Sequence, residues 1–188
     1  MFILTYYIGV LYKMTKTLNV KFEIGVRFLV LHLPRSDDSS RKPILFHDIR
    51  VGVYLYEHGY SENIVLAGLL HDAIEWSNAT EDMLRDEFGD EVLKLVFANT
   101  VDNTIQNKGE KTTELIQRCV KNGEDALIVK SADILDSFKW YDSQNNTEQL
   151  KYCMRNANAI LSYKKSTFVD PIFDKINTWK EKFEHLSE

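Results

Sequence analysis

The segment LLHDAIEW, residues 69–76, places a histidine and an aspartate side by side at the end of an apolar run. Imidazole and carboxylate groups bind divalent metals, whereas neither gains from burial beside Leu70. Glu75 follows His71 by four residues and Asp72 by three, so a continuing helix would put all three on one face. This spacing indicates a metal site with an extra carboxylate next to it.

Two more polar residues fall in apolar surroundings. His47 lies where a polar loop leads into an apolar segment, and Asp133 interrupts the run ALIVKSADILDSF. Together with His71 and Asp72 they would supply two imidazoles and two carboxylates, a set that suits Mn²⁺ and leaves positions for water or phosphate. Taken singly, each residue also fits a structural role at a helix end or an exposed position. The metal hypothesis therefore depends on the four residues converging.

Helices must position these residues, because the apolar spacing is helical through most of the chain. In the first predicted helix, Leu29 and Val30 share the apolar face. Glycine (8) and proline (3) are scarce, and no sustained alternating strand pattern occurs. We therefore predict an all-α helical bundle. The predicted helices are at about 19–33, 46–58, 61–75, 80–89, 90–104, 111–121, 124–142, 147–165 and 170–185.

The composition limits the classes of function. With 188 residues and 44% hydrophobic residues, the chain can bury one sizeable core. A net charge of -5 disfavours binding to a nucleic acid polymer. It leaves room for a small anionic substrate, because a bound cation can reverse the local field. Cys119 and Cys153 are too far apart for a CxxC zinc motif and are expected to be reduced thiols.

The first thirteen residues, MFILTYYIGVLYK, are apolar but too few to span a bilayer as a helix. They also lack the basic region and the cleavage site of a signal peptide. Met14 opens a more ordinary start. We expect residues 1–13 to be a dispensable extension or untranslated, residues 14–188 to form one domain, and the protein to be cytoplasmic without a membrane partner.

Four ordered blocks, KPILFH, GLLHDAIEW, FGDEVLKLVFANT and VKSADILDS, resemble the HD-domain metal-dependent phosphohydrolases. The resemblance is closest to the (p)ppGpp hydrolase domains of the RelA/SpoT type and their small stand-alone relatives, and it covers about residues 22–142. It implies an all-α bundle that acts on a small anionic nucleotide. It also implies one divalent ion, Mn²⁺ first, with the ligands His47, His71, Asp72 and Asp133.

The same resemblance makes Glu75 the candidate catalytic residue, as one of an acidic pair near the attacking water. Such a carboxylate can orient the water, take its proton or protonate the leaving group; the alternative is a solvent-facing glutamate. Trp76 replaces the second acid of the pair, and Ser137 replaces the family's asparagine. Both positions lie near the nucleotide in the family. Trp76 would stack on a base or lie in the core.

Basic residues near these blocks are candidates for substrate binding. The family uses one in the loop before the first histidine, where Arg35 is the better match if the loop carries an insertion, and Arg41 is the other candidate. A guanidinium there stacks on a base or pairs with phosphate, unless it is a solvated loop charge. Lys130, one turn before Asp133, would reach a phosphate. His32 and His58 do not fit a second metal site.

The expected function is a metal-dependent phosphohydrolase that acts on a nucleotide. A (p)ppGpp-like 3′-pyrophosphohydrolase comes first and another HD-type nucleotidase second. The alternative from a different class is a non-catalytic nucleotide-binding sensor that lost turnover through the change at Trp76. The sequence does not indicate the base, the sugar, the phosphate position or the oligomeric state.

Overall fold

The computed structural model describes the backbone of residues 2–186 and the side chains of residues 17–186. Within this part of the chain every regular element is helical, which confirms the all-α prediction. The helices are α1 Phe2–His32, α2 Ile44–Glu57, α3 Glu62–Leu70, α4 Ala73–Trp76, α5 Glu81–Phe88, α6 Asp90–Asn99, α7 Lys108–Asn122, α8 Glu124–Ser143, α9 Thr147–Tyr163 and α10 Ile172–Lys182, followed by a 3₁₀ turn at Glu184–Leu186.

The first helix differs from its prediction at both the N-terminus and the buried face. α1 begins at Phe2, so its backbone includes most of the segment that the sequence sets apart as residues 1–13. The side chains of that segment lie outside the described residues, and its dispensability stays a prediction, as does the single domain over 14–188. Leu29 is fully buried as expected, whereas Val30 is 61% exposed and does not belong to the core.

The helix predicted over 90–104 ends five residues early. α6 stops at Asn99, whose side-chain amide donates to the carbonyls of Leu95 and Ala126 at 2.9 and 3.2 Å. Thr100 then takes an extended conformation. The buried amide therefore ties the last turn of α6 to the first turn of α8, and the chain leaves the helix there.

α8 is the central helix of the bundle and packs against α2, α3, α6, α7, α9 and α10. Because neighbours surround it, polar residues on α8 are also buried, including Lys130, Asp133 and Ser137. Buried polar side chains need partners, or their desolvation destabilises the fold. Partners of these residues from outside α8 are Lys42 in the loop before α2, His47 on α2 and His71 just after α3, so the predicted metal ligands meet here.

The two cysteines, Cys119 and Cys153, are both free and buried. Burial raises the pKa of the Cys119 thiol to about 12. Within the part of the chain that the structure describes, no helix is long and apolar enough to cross a membrane.

α2 and α3 approach each other closely because glycines line their contact. A Cβ atom added at Gly52 would lie 2.8 Å from Cε2 of Phe22 and 3.0 Å from Cβ of Leu69. One added at Gly68 would overlap the side chain of Leu55, which is fully buried and has little room to move. This close packing brings the rings of His47 on α2 and His71 at the end of α3 to a centroid distance of 5.1 Å.

We expect Gly52→Ala to lower the free energy of unfolding by about 1–3 kcal/mol, the usual cost of overpacking a core. Gly109→Ala is the matched control, because Gly109 is also helical and its added Cβ would approach only Asn107 Oδ1, at 3.3 Å. Alanine gains at least as much helix propensity at Gly52, inside α2, as at Gly109, in the first turn of α7, so propensity does not account for a loss at Gly52. Urea denaturation of both measures the difference. Equal stabilities would contradict the close-packing argument.

Candidate metal centre

Four elements bring the predicted metal ligands together. His47 lies in the first turn of α2, His71 follows the last residue of α3, Asp72 precedes α4, and Asp133 lies in the middle of α8. Nε2 of His47 and Nε2 of His71 lie 3.1 and 3.8 Å from the same oxygen of Asp133. Nε2 of His71 is also 3.5 Å from Oδ1 of Asp72. The two histidines and Asp133 are buried, and Asp72 is partly exposed.

The orientation of His47 is set by a carboxylate on the far side of its ring. Nδ1 of His47 lies 2.6 Å from Oδ2 of Asp136, so this nitrogen carries the proton and donates it. Arg50 donates to both oxygens of Asp136 at 2.7 and 2.8 Å. Although burial opposes it, hydrogen bonds from Arg50 and then His47 lower the pKa of Asp136 to about 2. Asp136 is therefore ionised, and Nε2 is the His47 nitrogen that faces Asp133.

His71 is oriented in the same way by the backbone. Its Nδ1 donates to the carbonyl of Gly68 at 2.8 Å, which leaves Nε2 as the unprotonated nitrogen. Burial lowers the pKa of His71 and keeps the imidazole neutral. Nε2 of His47 lies 3.1 Å from Oδ1 of Asp133, whereas Nε2 of His71 makes no hydrogen bond among the described residues. Two buried imidazole nitrogens that converge on one carboxylate oxygen form a set of donor atoms that fits a divalent metal.

Asp133 is held in its charged form by two lysines. Lys130 Nζ lies 2.8 Å from Oδ2, and Lys42 Nζ lies 3.6 Å from Oδ1. Burial alone would raise the pKa of Asp133, but Lys130 and then Lys42 hold it well below its usual range. Burial likewise opposes the charge on Lys130, and Asp133 outweighs it, so the pKa of Lys130 is raised. Lys130 thus acts on Asp133 directly.

Asp48, the residue after His47, also belongs to this centre. One donor atom each of His47, Asp48, His71 and Asp72 lies within 4.8 Å of the others. Asp48 is fully buried, and neither of its oxygens has a hydrogen-bond partner among the described residues. Burial, and then the charge of Asp72, raise the pKa of Asp48 well above its usual value.

Glu75 lies beside the centre on the short helix α4. Its Oε2 accepts a hydrogen bond from the backbone N–H of Val101 at 3.2 Å. Burial, followed by the charge of Asp72, raises the pKa of Glu75 above its usual value. Glu75 lines a space of about 40 Å³ that it shares with Asp72, Lys130 and Asp133. It is therefore neither a solvent-facing glutamate nor a contact of the two histidines.

A larger cavity of about 370 Å³ adjoins this space, and Glu75, Trp76 and Arg41 line both. Trp76 also lines a third cavity of about 220 Å³ and is 45% exposed, which excludes the core position left open by the sequence. Most charged side chains of the large cavity are basic. They are Arg41, Lys108, Lys111, Lys151 and Arg155, with Glu75 and Glu148 as the acidic residues.

Two predicted substrate-binding residues lie elsewhere. Arg35 is exposed on the loop after α1 and lines none of these three cavities, whereas Arg41 lines all of them. Ser137 is buried and donates to Oδ1 of Asp133 at 3.3 Å while it accepts from Lys42 at the same distance. Ser137 therefore supports a predicted ligand and does not face the cavities.

Three residues of the centre were missed by sequence reasoning. Lys42 and Asp136 occur within the blocks KPILFH and VKSADILDS, and Asp136 is three residues after Asp133, on the same face of a helix. That spacing was a usable signal. Asp48 gave a weaker signal, since a charged residue in an otherwise apolar helix start is usually exposed.

Comparisons with known proteins agree with this geometry. A family model for the HD domain matches residues 27–160. The guanosine-3′,5′-bis(diphosphate) 3′-pyrophosphohydrolase of Aquifex aeolicus is 30% identical over 100 residues, which are 52% of this chain and 14% of that protein. The 3′-pyrophosphohydrolase MESH1 of Drosophila melanogaster is 30% identical over 115 residues, 60% of this chain and 63% of that protein. The chain thus spans less than two thirds of the length of these relatives.

Two solved structures share the fold. A metazoan SpoT ortholog, described as hydrolysing ppGpp, superposes with a TM-score of 0.69 over 87% of this chain and 95% of its own, at 20% sequence identity. A protein from Listeria monocytogenes EGD-e gives a TM-score of 0.61 over 72% of this chain and 97% of its own, at 25% identity. At 20% identity the first likeness shows the fold alone.

The centre predicts that the purified protein binds about one divalent ion per chain and that His71→Ala loses it, because an open ligand position weakens binding. His58→Ala is the matched control, since His58 is exposed and contacts Lys175 on the surface. Both effects can be measured as metal content, by mass spectrometry, and as thermal stability with and without Mn²⁺. Retention of a stoichiometric ion by His71→Ala would contradict the site.

Proposed function

The chain belongs to the HD-domain family, and on that basis we propose that it is a metal-dependent phosphohydrolase acting on a small anionic nucleotide. The observation that carries the proposal is the pair of buried Nε2 atoms of His47 and His71 that converge on the same oxygen of Asp133. The relatives named as 3′-pyrophosphohydrolases make (p)ppGpp the first substrate to test and other nucleotides the second. The cytoplasmic location expected from the sequence stays a prediction.

The proposed cofactor is Mn²⁺, with His47, His71, Asp72 and Asp133 as ligands. Mixed imidazole and carboxylate ligands suit a divalent ion of intermediate hardness, and thiolates that would favour zinc are missing from the described surroundings of the centre. When bound, such an ion polarises a phosphoryl oxygen and lowers the pKa of a water molecule.

Glu75 is proposed to transfer the proton of the attacking water. Its carboxylate lines the small space beside Asp72 and Asp133, and the Val101 N–H holds one of its oxygens. A carboxylate with a raised pKa binds a proton more readily than an ordinary glutamate. Glu75 would therefore orient the attacking water, accept its proton and pass a proton to the leaving group.

The large cavity is proposed to hold the rest of the nucleotide. Lys108 and Lys111 on α7 and Arg155 on α9 line its wall, and Nε of Arg155 is buried without a hydrogen-bond partner in the described chain. Guanidinium and ammonium groups of this kind bind phosphate. Despite the net charge of -5, the cavity thus offers a basic surface to an anionic substrate.

Trp76 is proposed to stack on the base. Its indole lies at the junction of the three cavities and is partly exposed, where a flat ligand has access to one of its faces. Arg41 lines the same junction, and its guanidinium lies 6.0 Å from the centre of the Tyr152 ring. An indole cannot accept a proton, so this position contributes to binding and not to proton transfer.

The test is release of phosphate or pyrophosphate from a panel of nucleotides by the Mn²⁺-loaded protein. The panel contains ppGpp, pppGpp, GTP, GDP, 3′-phosphorylated nucleosides and the common deoxynucleotides. Turnover of at least one member is expected, with ppGpp first. If the loaded protein binds a nucleotide but hydrolyses none, the sensor alternative replaces the enzyme.

Glu75→Gln should bind Mn²⁺ nearly normally and turn over substrate at least about 100-fold more slowly, the lower end of acid–base contributions. The wild-type rate should fall as pH drops through the pKa of Glu75, because the base works in its charged form. Since that pKa is raised, the fall occurs above the pH at which an ordinary glutamate titrates. The fall is measured as the rate at saturating Mn²⁺ over a range of pH. The pH profile of Glu75→Gln should not show this fall.

Glu148→Gln is the matched control for this experiment. Glu148 lines the large cavity but not the small space beside Asp72 and Asp133, so the variant removes the same charge away from the ion. Its turnover should stay within a few-fold of wild type. Equal rates in Glu75→Gln and wild type would refute the role of Glu75.

Trp76→Ala should raise KM by about 5- to 150-fold, because stacking of a base on an aromatic ring contributes roughly 1–3 kcal/mol. The value of kcat should change little, and Trp76→Phe should keep most of the affinity. Steady-state kinetics on the best substrate of the panel measure both parameters. If Trp76→Asp instead speeds ppGpp turnover, the stacking role is wrong, and Trp76 occupies a position where an acidic residue would assist catalysis.

A further inference from the structure

Asp48 has no partner that explains its burial. Its side chain is fully buried on α2, and neither oxygen has a hydrogen bond among the described residues. Asp133 and Asp136, the other buried carboxylates nearby, are both hydrogen bonded, to Lys130 and to Arg50. A buried carboxyl group without hydrogen bonds destabilises the fold even when it is protonated, and more so when it is charged. A cation beside Asp48 would supply the missing partner.

The possible donors around Asp48 are used elsewhere. Nδ1 of His71 is 3.8 Å from Oδ1 of Asp48 and already donates to the carbonyl of Gly68. Lys42 pairs with Asp133 and donates to Ser137. The described side chains therefore leave both oxygens of Asp48 without a hydrogen bond.

The place of Asp48 shows which group can compensate it. One of its oxygens lies within 4.8 Å of donor atoms of His47, His71 and Asp72. Two ligands on opposite sides of one ion lie roughly 4–5 Å apart, from metal–ligand distances of about 2.0–2.5 Å. The carboxylate is thus within the range of a ligand to the same ion.

We propose that Asp48 is a further ligand of the metal, an inference that rests on the metal centre of the proposed function. The donor atoms of Asp48, His47, His71 and Asp72 form one group within 4.8 Å, and this group does not include Asp133, whose Oδ1 lies 3.1 and 3.8 Å from Nε2 of the two histidines. An additional carboxylate beside two imidazoles would favour a harder ion such as Mn²⁺ over Zn²⁺.

The first test compares Asp48→Asn with Asp136→Asn by Mn²⁺ titration calorimetry. Asp136 is the matched control, because its carboxylate contacts the outer nitrogen of His47 and does not face the ion. Loss of such an outer partner lowers metal affinity by about 10- to 100-fold. Asp48→Asn should lose more than this, and its preference for Mn²⁺ over Zn²⁺ should fall. An affinity equal to wild type would overturn the proposal.

The second test reads the coordination number directly. Visible absorption of the Co²⁺-loaded protein is weak for six ligands and stronger for fewer, so Asp48→Ala, which has no donor atom, should strengthen it. Asp136→Asn should keep the wild-type band shape. If Asp48→Ala weakens binding without changing the band, Asp48 acts through His71 and the proposal is wrong.

A third measurement separates a ligand from a structural residue. Without metal, Asp48→Asn should be about as stable as wild type, because it replaces a buried group without hydrogen bonds by one of the same size, while Mn²⁺ should stabilise it less. Lower stability of the metal-free variant would overturn the proposal. If wild type binds no divalent ion, the proposed function fails as well; if wild type binds Mn²⁺ and Asp48→Asn matches it, only the role of Asp48 fails.

Discussion

The close contact between α2 and α3 is the constraint on which the centre depends. Gly52 and Gly68 let the two helices approach so that His47 and His71 present their Nε2 atoms to the same oxygen of Asp133. A side chain of any size at the contact would push the imidazoles apart, and ligands to one ion tolerate displacements of only a fraction of an ångström. The apolar core thus determines the metal geometry as directly as the ligands themselves do.

Hydrogen bonds and ion pairs orient the proposed ligands that packing brings together. Three of the four proposed ligands have a second group behind them: Asp136 behind His47, the Gly68 carbonyl behind His71, and Lys130 behind Asp133. These contacts orient the two imidazoles and keep the Asp133 carboxylate charged, as a cation would require. Arg50 continues this series of contacts towards the surface. Its guanidinium donates to Asp136 and lies 5.0 Å from the Phe46 ring and 5.5 Å from the Trp140 ring.

Sequence patterns predicted the framework well and the orientation of single side chains less well. Apolar periodicity indicated α2, α3 and α8, and the ordered blocks indicated His47, His71, Asp72 and Asp133, which the structure brings together. Their roles remain predictions.

The misses have local physical causes. A loop has no periodicity that could separate Arg35 from Arg41, and a helix position four residues after Asp133 suits both a substrate contact and the support that Ser137 gives. Four basic side chains of the large cavity lie on α7 and α9, and they come together because these two helices pack against each other. A short stretch of sequence does not reveal a contact between two separate helices.

Burial of the centre also governs how quickly an ion can come and go. His47 and Asp48 are wholly enclosed, and beside the partly exposed Asp72 the space next to the ligands is only about 40 Å³. An ion at this centre would therefore enter and leave through that narrow space and the wider cavity that adjoins it. A nucleotide bound in the wide cavity would block this route, so the ion would exchange more slowly with substrate bound than without it.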